Sequence, residues 1–363
     1  LKTYEGIWLN GKNYSHGDAL TLDPLDPKFN PFEQDVLAFY QLWFSEAENF
    51  EFKTSGTTGE PKIITFERKD LIRSANISIS TFKLQTGHNI LLCLSPQYVA
   101  GKMMMVRAFV GGLPLIAIDP QLNQFAHLDR DIEFAAFVPN QVSGILNDSL
   151  MVQKFEGIKK VIIGGGEINN DDFRKLKQLK NNVYQTYSMT ETLTHVAIRK
   201  VSGSNSNDYY NVLKSFSIST DERGCLKVKS PYQSDWLQTN DLVKVIDEKR
   251  FIWKGRVDNV VNSGGIKIIP EEIEKLIESV FNSLNLDHNF FVAGLPDKLL
   301  GNKLVLFIEG ELIVNQEGLL EKLNTNLPNY KSPKEIILIR NFHYTLTGKI
   351  NRSATVKSIY NVD

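Results

Sequence analysis

An α/β fold is predicted for this chain by three features of its sequence. Helical and strand-like segments alternate through most of its length. The apolar run Val161-Ile162-Ile163 enters Gly164-Gly165-Gly166 as a buried strand enters a turn. A one-sided helix starts at Pro270. At about 100–200 residues per domain, 363 residues predict two domains. The composition, 42% hydrophobic and 23% charged, excludes a disordered chain, and 24 glycines are too few for a collagen repeat. A net charge of −1 gives no reason to expect nucleic acid or an anionic membrane surface as a partner.

In chain order, 159–163 is predicted as a strand and 171–179 as a short polar helix, whose Asp171 and Asp172 suit the positive end of the helix dipole. Further strands are expected at 183–187 and 196–201, then a strand-rich stretch at 224–229, 241–246 and 250–253. In the Pro270 helix, Glu271 and Glu272 occupy the first turn, and Ile273, Leu276, Ile277, Val280, Phe281 and Leu284 form one face. That face predicts packing on a sheet made from 290–293 and 304–308. The domain boundary is placed at Gly255-Arg256-Val257-Asp258, giving domains 1–257 and 258–363.

Cys93 and Cys225 have neither metal-site nor disulfide spacing, which fits a reducing cytoplasm. No signal-peptide pattern opens the chain, and no apolar run approaches the roughly 18 residues of a membrane helix, so a soluble cytoplasmic protein with no membrane insertion is expected. Because the sequence starts at Leu1, an earlier start is left open.

The strongest chemical signal is Thr54-Ser55-Gly56-Thr57-Thr58-Gly59-Glu60-Pro61-Lys62. Glycines allow close backbone approach, hydroxyls and amides can surround phosphate oxygens, and a lysine adds charge. A shorter run of this composition would read as an ordinary turn. The spacing is not that of a P-loop, because Gly59 follows Gly56 by three positions and Ile63 follows Lys62.

The run instead resembles the phosphate loop of the adenylate-forming superfamily, which comprises acyl-CoA synthetases, luciferases and peptide-synthetase adenylation domains. Further motifs of that superfamily follow in order: Tyr187-Ser188-Met189-Thr190-Glu191, Thr239-Asn240-Asp241, Gly255-Arg256-Val257-Asp258 with Ser263-Gly264-Gly265, and Thr347-Gly348-Lys349 with Arg352. Ile63, Ser188 and Asn240 stand where the family has glycine. The resemblance implies an acyl-CoA synthetase-like fold, with a large N-terminal domain of mixed sheets and helices and a smaller, mobile α+β C-terminal domain. It also implies ATP, Mg²⁺ and coenzyme A as cofactor and co-substrates.

Joining a carboxylate to the α-phosphate of ATP gathers anions, so the site needs cations and hydrogen-bond donors. Glu191 is the candidate Mg²⁺ ligand, and Thr190 with Thr54 to Thr58 can hold phosphate oxygens. Tyr187 can face adenine, which Gly164, Gly165 and Gly166 let the backbone approach. Asp241 fits the ribose hydroxyls, and Arg256 adds donors to the same sugar. The resemblance makes Lys349 the adenylation lysine and Asp258 the hinge between two half-reactions, and it places a thiol tunnel beside Gly264 and Gly265.

The phosphate loop lies early in this chain, and that compactness resembles the short o-succinylbenzoate–CoA ligases of menaquinone biosynthesis. So do 95–103 and 189–197. The acid of those ligases carries a second carboxylate that is not activated and needs a charged anchor. Lys102, Arg107, His195 and Arg199 are the candidates; against that role, Lys102 and Arg107 also read as one face of a helix, Arg199 as pointing outward from its strand, and His195 as core packing. The other five histidines, His16, His88, His127, His288 and His343, fall in no metal or triad spacing. Alternatives carried forward are another aryl- or short acyl-CoA ligase, a non-catalytic nucleotide-binding module, and a carrier-protein loading domain.

Overall fold

The computed structural model describes residues 4–53, 62–121, 125–328, 330–345 and 349–360. The chain forms two compact units, 1–217 with 229–235, and 218–228 with 236–363.

Among the described residues, the first unit contains β1 (Gly6–Leu9), β2 (Lys12–Ser15), α1 (His16–Thr21), α2 (Pro31–Phe44), β3 (Asn49–Lys53), β4 (Ile63–Glu67), α3 (Arg68–Thr81), β5 (Ile90–Leu92), α4 (Val99–Gly111), β6 (Leu115–Ala117), β7 (Phe134–Phe137), α5 (Pro139–Leu146), α6 (Ser149–Gly157), β8 (Lys160–Ile163), α7 (Asn170–Lys177), β9 (Asn182–Ser188), β10 (His195–Lys200) and β11 (Tyr210–Val212). Its main sheet has the order β11-β10-β9-β8-β7-β5-β6-β1-β2. The centre is parallel, from β9 across to β1, with antiparallel pairs at both ends.

Alternation along the central strands divides the core. Ile90, Leu92, Phe134, Ala136 and Ile162 face a cluster with α2, α3 and α4. Leu91, Ala135, Phe137, Val161 and Ile163 face another with α5, α6 and α7. Strands covered on both faces read as continuous apolar runs, which is why 160–163 is legible as a strand. Helix α2 starts at an Asn30–Glu33 capping box with Pro31 in the first turn, a feature worth about 1 kcal/mol.

The second unit contains β12 (Ser217–Thr220), β13 (Cys225–Lys229), β14 (Trp236–Asp247), β15 (Arg250–Arg256), β16 (Val261–Ser263), β17 (Ile266–Ile268), α8 (Pro270–Ser283), β18 (Phe290–Asp297), β19 (Gly301–Glu309), α9 (Gln316–Asn326), β20 (Glu335–Ile339) and α10 (Arg352–Tyr360). Strands β12 to β15 are neighbours in sequence order. A second sheet has the order β17-β16-β19-β18, with β20 parallel to β19.

Helix α8 buries Ile273, Ile277, Val280 and Phe281 against Val292, Leu304, Leu306 and Ile308, with α9 beside it. Leu276, expected on the same face, is instead 40% exposed. On the other face of the sheet, Phe291 stacks on Phe307 with ring centroids 4.8 Å apart, and Val356 and Ile359 of α10 pack nearby.

The position 257/258 lies inside this second unit, in a short 3₁₀ turn at Val257–Asn259. The hairpin β14–β15 is fastened to helix α8, because Lys254 pairs with Glu272 at 2.7 Å and Asn259 donates to Glu271. Gly255, at φ +155°, fits so tightly that a Cβ there would stand 2.4 Å from Glu271 Oε2.

Candidate functional site

In the second unit the antiparallel pairing of β14 and β15 sets Asp241 opposite Arg256. The Arg256 guanidinium lies 3.5 Å from the Asp241 carboxylate and 2.7 Å from that of Asp258. Trp253 Nε1 also donates to Asp241 Oδ1 at 3.2 Å, and Asn240 Nδ2 donates to Asp258 at 3.0 Å. Thus Asn240, where glycine was the expected residue, contributes a donor to the Asp258 carboxylate.

Lys349 belongs to the same cluster. Its backbone is fixed by reciprocal bonds with Thr345, from Lys349 N to Thr345 Oγ1 at 3.1 Å and from Thr345 N to Lys349 O at 2.8 Å. Burial lowers the pKa of its ammonium; repulsion from Arg256 lowers it further, and Asp241 opposes the shift. The structure therefore brings Asp241, Arg256 and Asp258 together, with Lys349 near enough for the charges of Arg256 and Asp241 to act on its ammonium. Gly264 and Gly265, at φ +57° and +81°, form the two-residue turn of the β16–β17 hairpin, a conformation that favours glycine.

The first unit carries the remaining expected residues. Strand β9 ends at Tyr187-Ser188, with Tyr187 half-buried edge-on to Tyr210 and Ser188 exposed. A 3₁₀ turn, Thr190–Thr192, follows and presents Thr190 and Glu191, both partly exposed. The Glu191 carboxylate makes no ion pair or hydrogen bond with the described residues. A lone carboxylate beside a hydroxyl fits Mg²⁺, which commonly keeps substrate phosphates and water as its other ligands. Among the described residues, no group of three His, Cys, Asp or Glu is placed so that it could hold a metal ion. After β8, a Cβ on Gly164 would meet Thr186 Oγ1 at 2.6 Å, and Gly165 has φ +87°. Thr54, Ser55, Gly56, Thr57, Thr58 and Gly59 lie outside the described residues. The strands flanking them, β3 and β4, pair with Lys53 opposite Ile63, and Lys62 is exposed.

The four anchor candidates have different fates. Lys102 donates to the Glu51 carbonyl at 2.9 Å, with its ammonium over Phe39 and Phe52. Arg199 donates to Gln185 at 2.7 Å and pairs with Glu167 at 3.4 Å. Arg107 and His195 are both buried and meet at Thr194, which accepts from Arg107 Nη2 at 3.0 Å and lies 3.2 Å from His195 Nδ1. Burial and the Arg107 charge hold the His195 pKa well below its usual value.

Sequence reasoning passed over Ser74, Ser78, Thr194 and Tyr232, which surround Arg107 and His195, and also Asn240 and Trp253 as partners of the acidic pair. The available signal was the arginine itself, enclosed by Met103-Met104-Met105-Val106 and Ala108-Phe109, all of them buried. Cys93 and Cys225 are free and buried. No described helix is long and apolar enough to cross a membrane.

A family model described as "AMP-binding enzyme" matches residues 53–216. A 2-succinylbenzoate–CoA ligase from Listeria monocytogenes is 26% identical over 83% of this chain and 68% of its own. A long-chain-fatty-acid–CoA ligase, FadD13, from Mycobacterium tuberculosis is 25% identical over 83% of this chain and 65% of its own. A crystal structure of an acyl-CoA synthetase (AMP-forming)/AMP-acid ligase II-like protein from Dyadobacter fermentans is 35% identical, covers 95% of this chain and 99% of its own, and superposes with a TM-score of 0.61.

Proposed function

This chain belongs to the AMP-binding family of adenylate-forming acid–CoA ligases, and from that premise we propose that its preferred acid is o-succinylbenzoate, placing it in menaquinone biosynthesis. In the first half-reaction a carboxylate oxygen attacks the α-phosphorus of ATP, and the bond to pyrophosphate breaks. In the second, the sulfur of coenzyme A attacks the acyl carbon, and AMP departs with the carboxylate oxygen.

The observation that carries this reading is the cluster of Lys349 with Arg256 and Asp241. A partly desolvated ammonium is a strong partner for the charge that builds at the α-phosphate. Asp241, oriented by Trp253 Nε1 and Arg256, accepts from the ribose hydroxyls. Tyr187 packs on adenine beside the Gly164-Gly165-Gly166 turn, and Ser188 continues that wall. Thr54 to Gly59 with Lys62 bind the β- and γ-phosphates. Mg²⁺, when bound by Glu191 with Thr190 alongside, supplies charge neutralisation at the phosphate oxygens. Asp258 serves as the hinge between the half-reactions, so that 258–363 moves as the C-terminal domain, and Gly264 and Gly265 border the path of the thiol.

The preference for o-succinylbenzoate is supported by the Listeria ligase and by the stretches 95–103 and 189–197. The fatty-acid ligase at similar identity makes the acid the point to test. Pyrophosphate release with ATP and Mg²⁺ is measured across o-succinylbenzoate, benzoate, short and long fatty acids, each with and without coenzyme A. Selective turnover of o-succinylbenzoate with coenzyme A consumed supports the reading. Turnover of another acid alone retains the ligase and removes the pathway. Indifference to free coenzyme A points to a carrier-loading domain, and silence on every acid to a binding module.

A further inference from the structure

The first unit contains a buried cation that no described carboxylate neutralises. Arg107 is 3% exposed, its Nε has no hydrogen-bond partner among the described residues, and its one described side-chain bond is to the neutral Thr194 hydroxyl. The Ser74 hydroxyl from α3 and the Tyr232 hydroxyl from the 229–235 segment are also buried and, among the described residues, without hydrogen-bond partners; they lie beside one another but do not meet in hydrogen-bonding geometry. Ser78 Oγ, at 3.3 Å from Thr194 Oγ1 and 3.4 Å from His195 Nε2, continues the polar cluster. Burial pulls the Arg107 pKa down to about 10.

An isolated buried charge and orphaned hydroxyls are each costly, so their convergence calls for an anion or a polar group that completes them. Nε and Nη2 share the edge of a guanidinium that takes both oxygens of a carboxylate. The neighbouring His195 is held neutral, so it adds no second fixed charge. The cluster also adjoins the turn bearing Glu191, because Thr192 Oγ1 donates to the Thr194 carbonyl at 2.9 Å.

We propose that Arg107, with Ser74 and Tyr232, binds a carboxylate of the acid substrate other than the one activated, so that the enzyme selects dicarboxylic acids. This inference rests on the ligase reading above and deepens it by singling out Arg107 from the four anchor candidates.

The test compares 2-succinylbenzoate with 3-benzoylpropionate, the same keto acid without the ring carboxylate. Both binding to the protein alone, by calorimetry, and kcat/KM are read. The wild type should favour the dicarboxylate by roughly 10- to 100-fold, the range of a charge-assisted hydrogen bond. That ratio should collapse toward one in Arg107→Met, recover in part in Arg107→Lys, and fall several-fold in Ser74→Ala. Thermal melts identify a variant that has not folded, and Ser74→Ala decides if Arg107→Met is such a variant. A wild-type ratio near one, or a ratio unchanged in folded variants, overturns the proposal. If no acid is turned over, the ligase reading fails, while the calorimetric ratio still decides for or against the carboxylate site.

Discussion

Arg256 Nη2 donates to Asp258 across 2.7 Å. This bond ties the 3₁₀ turn at Val257–Asn259 to the strand whose partner carries Asp241. A residue proposed as a hinge is thus held by the same side chain that faces the proposed ribose ligand. Because the pair is about one-third exposed on each side, its own contribution to stability is about 0–1 kcal/mol. Such a contact can break without large cost, as the proposed hinge role requires.

Proline at position 258 would fix φ and restrict Val257 before it. Asp258→Pro should therefore slow thioester formation from supplied acyl adenylate more than it slows adenylate formation. Separate single-turnover measurements of the two half-reactions check this. An unimpaired second step would remove Asp258 from the hinge role.

Lys349→Ala removes the ammonium while Asp241 and Arg256 remain. Adenylation should fall by about 10²–10³-fold, the usual scale for losing one electrostatic contact to a transition state. Thioester formation from supplied adenylate should change far less. An equal loss in both half-reactions would contradict the assignment.

The lowered pKa of Lys349 carries a pH dependence. The proposed role requires the cation, so adenylation should hold near neutrality and decline as pH rises through that lowered value, below the 10.5 of an ordinary lysine. Lys349→Arg should abolish this alkaline limb, because guanidinium keeps its charge across the range. The limb should be absent from the thioester half-reaction, which a pH–rate profile of each step records.

Much of the architecture was readable because its periodicity is strong. Ile273, Ile277, Val280 and Phe281 meet 290–293 and 304–308 as their spacing predicts. Leu276 departs from the pattern because apolar content does not say how wide the covered stripe is. The strands at 241–246 and 250–253 extend to Trp236–Asp247 and Arg250–Arg256, since polar residues such as Asn240 and Arg256 continue a ladder that hydrophobicity does not mark. Motif order pointed to Asp241, Arg256 and Lys349. It gave no sign of Trp253 beside Asp241, or of Ser74 and Tyr232 around Arg107. Those contacts join residues far apart in the chain, and only packing brings them together.

His195 predicts an acid-sensitive stability. Its folded pKa is depressed, so the unfolded chain takes up a proton near pH 6.5 that the folded chain refuses. The stabilisation is complete above about pH 6.5 and is lost as pH falls, by at most about 1.4 kcal/mol per pH unit. Urea unfolding of the wild type and His195→Gln between pH 7 and 5 should show a shallower decline in the variant. Parallel curves would contradict the neutral buried state.

Gly255→Ala should destabilise the second unit by roughly 1–3 kcal/mol, because the added Cβ meets Glu271 and Ile269 at a positive φ. Thermal unfolding checks this, and an unchanged melt would show that the β15–α8 contact yields without cost.

The proposed ligation passes through an acyl adenylate. Rapid quenching followed by mass spectrometry, with o-succinylbenzoate, ATP and Mg²⁺, tests it most directly. Without coenzyme A, acyl adenylate should accumulate stoichiometrically with enzyme and pyrophosphate. On adding coenzyme A it should vanish as AMP and thioester appear in equal amounts. Release of ADP and phosphate, or thioester formed with no adenylate in pre-steady-state samples, would rule out that intermediate.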